Sequence, residues 1–194
     1  MEQLPGTHIT LTPEQNKTGL EFLQGIFSVT SGIMLSQVRE LTGMDAPALQ
    51  NWIKRGWVSS PVNKRYNIDQ VARILIINML RDVMQLEKVV FLMAYINGSA
   101  NDRSDDIIPE SKLYDYICKV IEAWEALPEK DDSRMEAIIA QQTEDYVENL
   151  EGAKGKLHSA LKVILPAYLS AMRKRQAETA LEQLRNTEKK EELT

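Results

Sequence analysis

Apolar residues recur at helical spacing along most of this 194-residue chain, and the clearest run extends from 35 to 97. Its first part holds two apolar stripes that predict two short helices: Leu35, Val38 and Leu41, then Leu49, Trp52 and Ile53. Gly43 suits the C-terminus of the first helix, and Asp45 can cap the second, with Pro47 in its first turn. Because so few residues separate the two stripes, the pattern predicts a helix-turn-helix.

A small basic hairpin should follow the second helix. Gly56 suits the end of that helix, and Trp57 with Val58 predicts a short strand. Pro61 marks a turn, after which residues 63–66 would form the return arm. A basic hairpin beside a helix-turn-helix is typical of a wing that contacts phosphates or the minor groove.

Two longer helices should complete this unit. Apolar residues over 71–80 predict a third helix, for which Asn67 or Asp69 can serve as the N-cap. Residues 86–95 predict a fourth helix. The region 34–97 is therefore interpreted as one winged helix-turn-helix domain.

The rest of the chain also reads as helical, so the predicted fold class is mainly α. The predicted parts are an N-terminal segment with a short helix (1–33), a linker (98–109), a helical dimerisation or effector domain (110–185) and a frayed tail (186–194). Stripes over 113–124, 135–150 and 157–184 predict the helices of the C-terminal region, and Pro166 should kink or interrupt the last one. A weak heptad-like seam, a candidate dimer contact, comprises Leu157, Leu161, Ile164, Tyr168 and Met172.

The second helix and the hairpin carry the candidate DNA-binding residues. These are Ala48, Gln50, Asn51, Lys54 and Arg55 on the helix and Lys64, Arg65 and Tyr66 on the hairpin. Gln and Asn can pair bidentately with adenine in the major groove, and Lys or Arg can bind phosphate or guanine. Solvated polar residues are the alternative at these positions, and for Trp52, Trp57 and Tyr66 a place in the core is favoured.

Two stretches, ALQNWIKRGWVSSP and NKRYNIDQVARILIINMLRDVMQLEKV, resemble the DNA-binding domain of MerR-type transcription regulators. The resemblance is closer to an uncharacterised bacterial family, found mainly in Firmicutes, that carries a MerR-like domain. The matching positions are Asn51-Trp52, Pro61 and Lys64-Arg65-Tyr66. The resemblance implies a dimer that forms through a helix following the DNA-binding domain. Gln50 and Asn51 depart from the residues usual in MerR relatives, so the base contacts of those proteins do not transfer.

The charge is unevenly distributed around a formal net value of −5. Region 34–81 has seven basic and three acidic residues, whereas 102–151 has five basic and fifteen acidic ones. Region 152–194 again is basic, with nine basic and five acidic residues. Because DNA would repel the acidic middle, we expect that segment to face away from it.

Other functional classes find little support in the sequence. With Cys118 as the single cysteine, neither an intramolecular disulfide nor a thiolate-rich metal site is possible. The sequence has no glycine-rich phosphate loop, nucleophile elbow or HExxH motif, so we expect no enzyme, cofactor or metal. No signal-peptide pattern and no apolar stretch of about 20 residues is present, so we expect a cytoplasmic chain without membrane contact.

These patterns predict a DNA-binding transcription regulator. It would bind an inverted-repeat operator as a homodimer, and a small-molecule effector could act on its C-terminal region. The alternative is a protein-interaction module that reuses the winged-helix fold, with the acidic middle segment as its partner surface. An excisionase-type accessory factor would also place this fold on DNA, but the substantial C-terminal region argues against it.

Overall fold

The computed structural model describes residues 4–9 and 18–191, and within them the fold is mainly α-helical, as predicted. The chain begins with α1 (Gly19–Phe27), β1 (Ile33–Met34), α2 (Leu35–Thr42), α3 (Ala46–Lys54) and β2 (Arg65–Tyr66). It continues with α4 (Ile68–Leu80), α5 (Leu86–Asn97), α6 (Glu110–Glu125), a 3₁₀ turn (Asp132–Arg134), α7 (Met135–Gln142) and α8 (Ala153–Glu191).

Helices α2 and α3 end and begin at residues whose chemistry favours those positions. Gly43 follows α2 with a left-handed φ of 68°, and its N–H donates to the carbonyl of Arg39. Asp45 caps α3, since its carboxylate accepts the N–H of Ala48 at 2.7 Å. The predicted residues at the turn therefore do what their chemistry favours.

The small sheet differs from the prediction. β1 pairs antiparallel with β2, with Ile33 opposite Tyr66 and Met34 opposite Arg65. The predicted strand at Trp57–Val58 is wrong, because Trp57 closes the end of α3 by donating its N–H to the carbonyl of Trp52. A two-residue strand such as β1 is too short to show an alternating pattern in the sequence.

The buried residues of 34–97 and of the C-terminal region form one core. Helix α4 lies at its centre and packs against α6, which also packs against α1. The segment predicted as a linker, 98–109, docks on this core, and Ile107 and Ile108 are buried. The buried amide of Asn97 bonds to this segment, donating to the carbonyl of Ile108 at 2.6 Å and accepting the N–H of Ile107. A polar composition alone did not reveal this docking.

The C-terminal helices depart from the prediction in two ways. α7 ends at Gln142, so the predicted helix over 135–150 is too long, and Val147 and Leu150 are exposed in the connection to α8. α8 continues through Pro166, so an interruption there is wrong. Pro166 lies on the exposed side of α8, so the proline ring is accommodated on the solvent face. The predicted frayed tail is helical as far as Glu191, and its last three residues lie outside the described part.

The N-terminal segment is partly anchored. Leu4 is buried, and the hydroxyl of Tyr114 donates to the carbonyl of Pro5 at 2.7 Å. The amide of Asn78 donates to the carbonyl of Gly6 at 2.9 Å. The prediction of a loosely held 1–19 is thus wrong for residues 4–9, while 1–3 and 10–17 lie outside the described residues. No helix in the described ranges is long and apolar enough to cross a membrane.

Candidate nucleic-acid interface

Helix α3 presents one polar face to solvent. Leu49 and Trp52 are buried and hold the helix on the core. The exposed stripe on the other side comprises Pro47, Gln50, Asn51 and Lys54, at the i, i+3, i+4 and i+7 spacing of one helical face. Three of the five helix residues predicted to contact DNA therefore project together into solvent.

The other two predicted helix residues have additional roles. Ala48 is half-buried and packs against the core, so only part of its methyl group is accessible. Arg55 lies with its guanidinium 4.9 Å from the ring centroid of Trp57 and 3.8 Å from a carboxylate oxygen of Glu87. Both members of the Arg55–Glu87 pair are largely exposed, so the pair is weak and Arg55 remains accessible.

The hairpin turns through two residues, Asn63 and Lys64, which have φ values of 50° and 61°. Val62 and Arg65 flank this turn and exchange both backbone hydrogen bonds, at 3.1 and 2.9 Å. Two successive positive φ angles inside such a pair are characteristic of a type I′ turn. Lys64 thus projects from the hairpin tip, where it is exposed.

Arg65 and Tyr66 occupy opposite faces of the hairpin. The Arg65 guanidinium donates from Nη1 to the carbonyl of Gly32 at 2.9 Å, so this exposed side chain also anchors the loop before β1. Gly32 permits that approach, since a Cβ at this position would lie 2.8 Å from the Cβ of Arg65. Tyr66 is only 3% exposed and packs in the core, so the prediction that it contacts DNA does not fit its position.

Two buried polar residues of α4, absent from the predicted site, hold the connection between α3 and the hairpin. The amide of Gln70 donates to the carbonyls of Ser59 and Ser60, each at 3.0 Å. Arg73 donates from Nε to the carbonyl of Trp57 at 2.7 Å and from Nη1 to a carboxylate oxygen of Glu110 at 3.0 Å. The available signal was the presence of polar residues inside an otherwise apolar helical segment.

The Arg73–Glu110 pair joins α4 to α6 in the interior. The side chains of Arg73 and Glu110 are 4% and 9% exposed. Burial raises the pKa of Glu110 above its usual value, with Arg73 opposing that shift. The half-exposed guanidinium of Arg103 also contacts this pair. Its Nη2 lies 2.9 Å from a carboxylate oxygen of Asp69 and 3.4 Å from one of Glu110. Burial alone would raise the pKa of Asp69, but hydrogen bonds from Ser111 and Arg103 lower it.

Part of the acidic middle segment is neutralised inside the fold. Besides Glu110, the carboxylate of Asp115 is buried, where it accepts the N–H of Leu20 at 3.0 Å and pairs with Lys119 at 2.9 Å. Asp145 pairs with Lys112 at 2.9 Å. Glu110 and Asp115 are therefore withdrawn from solvent, whereas Asp145 is paired at the surface.

The two halves of α8 have different surroundings. Leu157, Leu161, Ile164 and Tyr168 are buried in the core of their own chain, and Met172 is partly buried. The predicted heptad-like seam is therefore occupied within the chain. By contrast, residues 173–188 are exposed on all sides over a length of about 24 Å. Ala177, Ala180, Leu181 and Leu184 form an apolar stripe there, on the side of the helix opposite Tyr168.

Metal binding and thiol chemistry depend on how His, Cys, Asp and Glu side chains are placed in the described residues. Within 4–9 and 18–191, no group of three or more His, Cys, Asp or Glu side chains is placed to hold a metal ion. Burial raises the pKa of the Cys118 thiol far above its usual value, which keeps the sulfur protonated and unreactive.

Comparison with known proteins gives a family of unknown function. Residues 22–117 match the model of the domain of unknown function DUF1836, a span that runs from α1 into α6. Over 118 residues the chain is 29% identical to the uncharacterized protein YkrK of Bacillus subtilis (strain 168), covering 58% of this chain and 51% of that protein. The chain thus spans about half the length of this curated relative. No solved structure matches. The expected resemblance to a family of unknown function is confirmed over residues 22–117, just under half of the chain, whereas the resemblance to MerR-type regulators stays a prediction.

Proposed function

We propose that this protein is a MerR-like DNA-binding transcription regulator that inserts α3 into the major groove and sets its hairpin on the flanking backbone. The observation that carries the proposal is the exposure of two polar elements: the outer face of α3, and the hairpin whose strand β2 pairs with β1. β1 leads directly into α2 and pairs with β2, so the hairpin is fixed beside the helix-turn-helix. Recognition helices of this kind contact base edges in the major groove.

The side chains of α3 suit such a role chemically. Gln50 and Asn51 offer amide groups that can pair with adenine, and Lys54 offers a cation for phosphate or guanine. Lys64 at the hairpin tip adds a second cation beyond the helix. Because these groups lie on an exposed surface and Trp52 anchors the helix from behind, DNA could approach without rearrangement of the core.

A homodimer would place two such units on one operator. The exposed stripe of Ala177, Ala180, Leu181 and Leu184 supports this part of the proposal, since small and branched apolar residues at i, i+3, i+4 and i+7 suit helix pairing. Two units would read half-sites about one helical turn apart. An inverted repeat is the expected operator.

The first experiment is selection of bound duplexes from a random-sequence pool by the purified protein. Lys54→Gln and Lys64→Asn serve as separate test variants, and Lys156→Gln on α8 is the charge-matched control. Lys64→Asn is preferable to an acidic change because Asn tolerates the positive φ at this position. Lys64 is also preferred to Arg65 for substitution, because loss of the Arg65 side chain would remove its hydrogen bond to the carbonyl of Gly32 as well as its charge.

We expect an enriched inverted repeat, at least tenfold weaker binding by Lys54→Gln, and unchanged binding by Lys156→Gln. Equal weakening by all three variants would indicate non-specific charge attraction and contradict sequence-specific recognition. No enrichment by the folded protein would refute the proposal and favour a protein partner, for which Val147 and Leu150 beside the exposed acidic residues of 144–151 are the surface to test.

The dimer has its own test. Leu181→Gln with Leu184→Gln should convert the protein from dimer to monomer in analytical ultracentrifugation, because both side chains are exposed within one chain. Leu150→Gln, another exposed leucine in the connection before α8, is the control and should leave the mass unchanged. A wild-type monomer at high micromolar concentration would contradict the dimer.

A further inference from the structure

The outer face of the hairpin sheet carries apolar side chains that the fold does not explain. Directly opposite residues on neighbouring strands point to the same face. Met34 is opposite Arg65 in the β1–β2 pair, and Arg65 is opposite Val62 across the turn. Val62, Arg65 and Met34 therefore form one row, here called the outer row. Its inner counterpart, Ile33 with Tyr66, is buried.

The outer row alternates apolar and cationic groups. Val62 is 72% exposed and Met34 is 49% exposed, with the Arg65 side chain between them. Lys64 extends the row at the turn. A single exposed valine needs no explanation. Two apolar side chains flanking an arginine, next to a lysine at a hairpin tip, give a narrow projecting surface that is both apolar and positive.

We propose that Val62 and Met34 make apolar contacts with the deoxyribose walls and base edges of the minor groove, while Lys64 contacts phosphate. This inference rests on the proposed DNA binding and specifies how the hairpin engages the duplex. Proteins that enter the minor groove combine cations, which its negative potential attracts, with apolar side chains that pack on sugars and bases. The outer row provides both kinds of group on one edge.

The two kinds of contact differ in their response to salt. A phosphate contact releases counterions, so its loss reduces the slope of log K against log salt concentration by about 0.9. Loss of an apolar contact weakens binding at every salt concentration and leaves that slope unchanged. Val62→Thr is the appropriate variant because threonine keeps the β-branched shape and strand preference while replacing a methyl group by a hydroxyl.

The experiment measures binding of the full chain to a fluorescein-labelled mixed-sequence duplex by anisotropy across a salt series. We expect Val62→Thr to bind threefold to tenfold more weakly with an unchanged slope, and Lys64→Asn to reduce the slope by about 0.9. Val147→Thr makes the same chemical change at another exposed valine, in the connection between α7 and α8, and should bind as the wild type does.

The outcomes separate this inference from the proposed function. Wild-type affinity in Val62→Thr, with duplex binding otherwise intact, overturns the apolar contact and leaves DNA binding standing. A reduced salt slope in Val62→Thr also overturns it, since the variant would then act through the neighbouring cations. Absence of duplex binding by the wild type overturns both proposals. Equal circular dichroism spectra of Val62→Thr and wild type exclude misfolding as the cause of weaker binding.

Discussion

Helix α3 and the outer half of α8, residues 173–188, both expose polar and charged side chains, but only α3 is supported from behind. α3 has nine residues and is fixed by buried Leu49 and Trp52, an N-cap at Asp45 and clamps on the connection that follows. Residues 173–188 are exposed all round. The exposed residues of α3 therefore have a defined position, whereas the apolar stripe on α8 is exposed to solvent in the single chain.

The largest expected effect is loss of the support behind α3. Trp52→Ala should lower the free energy of unfolding by about 3–5 kcal/mol, because the indole is almost fully buried. Urea unfolding followed by far-ultraviolet circular dichroism measures this loss. Leu184→Ala, on the outer half of α8, should cost less than about 0.5 kcal/mol at concentrations that keep the chain monomeric. Similar losses in the two variants would contradict the comparison.

The second-largest effect concerns the buried Arg73–Glu110 pair, whose arginine also bonds the carbonyl of Trp57 just after α3. Arg73→Met should lower the free energy of unfolding by about 3 kcal/mol, since it leaves Glu110 buried without its main partner. The double variant Arg73→Met with Glu110→Leu should recover much of that stability, because both buried charges are removed. The same urea unfolding measures both variants. If Arg73→Met were as stable as the wild type, the pair would not stabilise the contact between α4 and α6.

Removal of the outer half of α8 should have a smaller effect on the folded unit. A chain ending after Gln176 should have a free energy of unfolding within about 0.5 kcal/mol of that of the full chain when both are monomeric, since residues 177–188 are exposed. It should also fail to form the proposed dimer in ultracentrifugation. A dimer that persists after this deletion would place the interface elsewhere.

The smallest expected effect is a pH dependence in the buried half of α8. His158 lies with Nε2 2.8 Å from the hydroxyl of Thr143, and burial, with help from Lys154 and Lys162, lowers its pKa below 6.5. His158 then binds a proton more readily in the unfolded chain than in the folded one. The free energy of unfolding should therefore have its full value above about pH 6.5 and fall as pH drops through the lowered pKa.

Thermal unfolding between pH 5 and 7.5 tests this dependence against His158→Gln, which should flatten it. If the pH profile of thermal unfolding were identical in wild type and His158→Gln, the pH dependence of stability would arise from other groups, chiefly the carboxylates of Asp69 and Glu110.

The local elements were largely predictable. Gly43, Asp45 and Asn67 act at helix ends where their chemistry favours them, and helical spacing located most helices. The exposure of Gln50, Asn51 and Lys54 followed from the same periodicity, because the apolar residues between them had to face the core. Such signals involve residues a few positions apart, so they can be read from one sequence.

Other features are decided where distant segments meet. Tyr66 has the same local surroundings as Lys64, yet the pairing of Tyr66 with Ile33 turns its ring into the core. Segment 98–109 has the composition of a linker, but the buried amide of Asn97 satisfies its backbone and fastens it to the core.

The sequence by itself determined most of the helices and the segregation of charge, because each depends on short-range spacing, whereas the strand pairing and the turn of the hairpin differ from the prediction. The tertiary structure decided which strand pairs with the hairpin and which half of α8 is exposed. It also placed Arg73 between the carbonyl of Trp57 and the carboxylate of Glu110. These features depend on contacts between residues far apart in the chain, for which no local pattern exists.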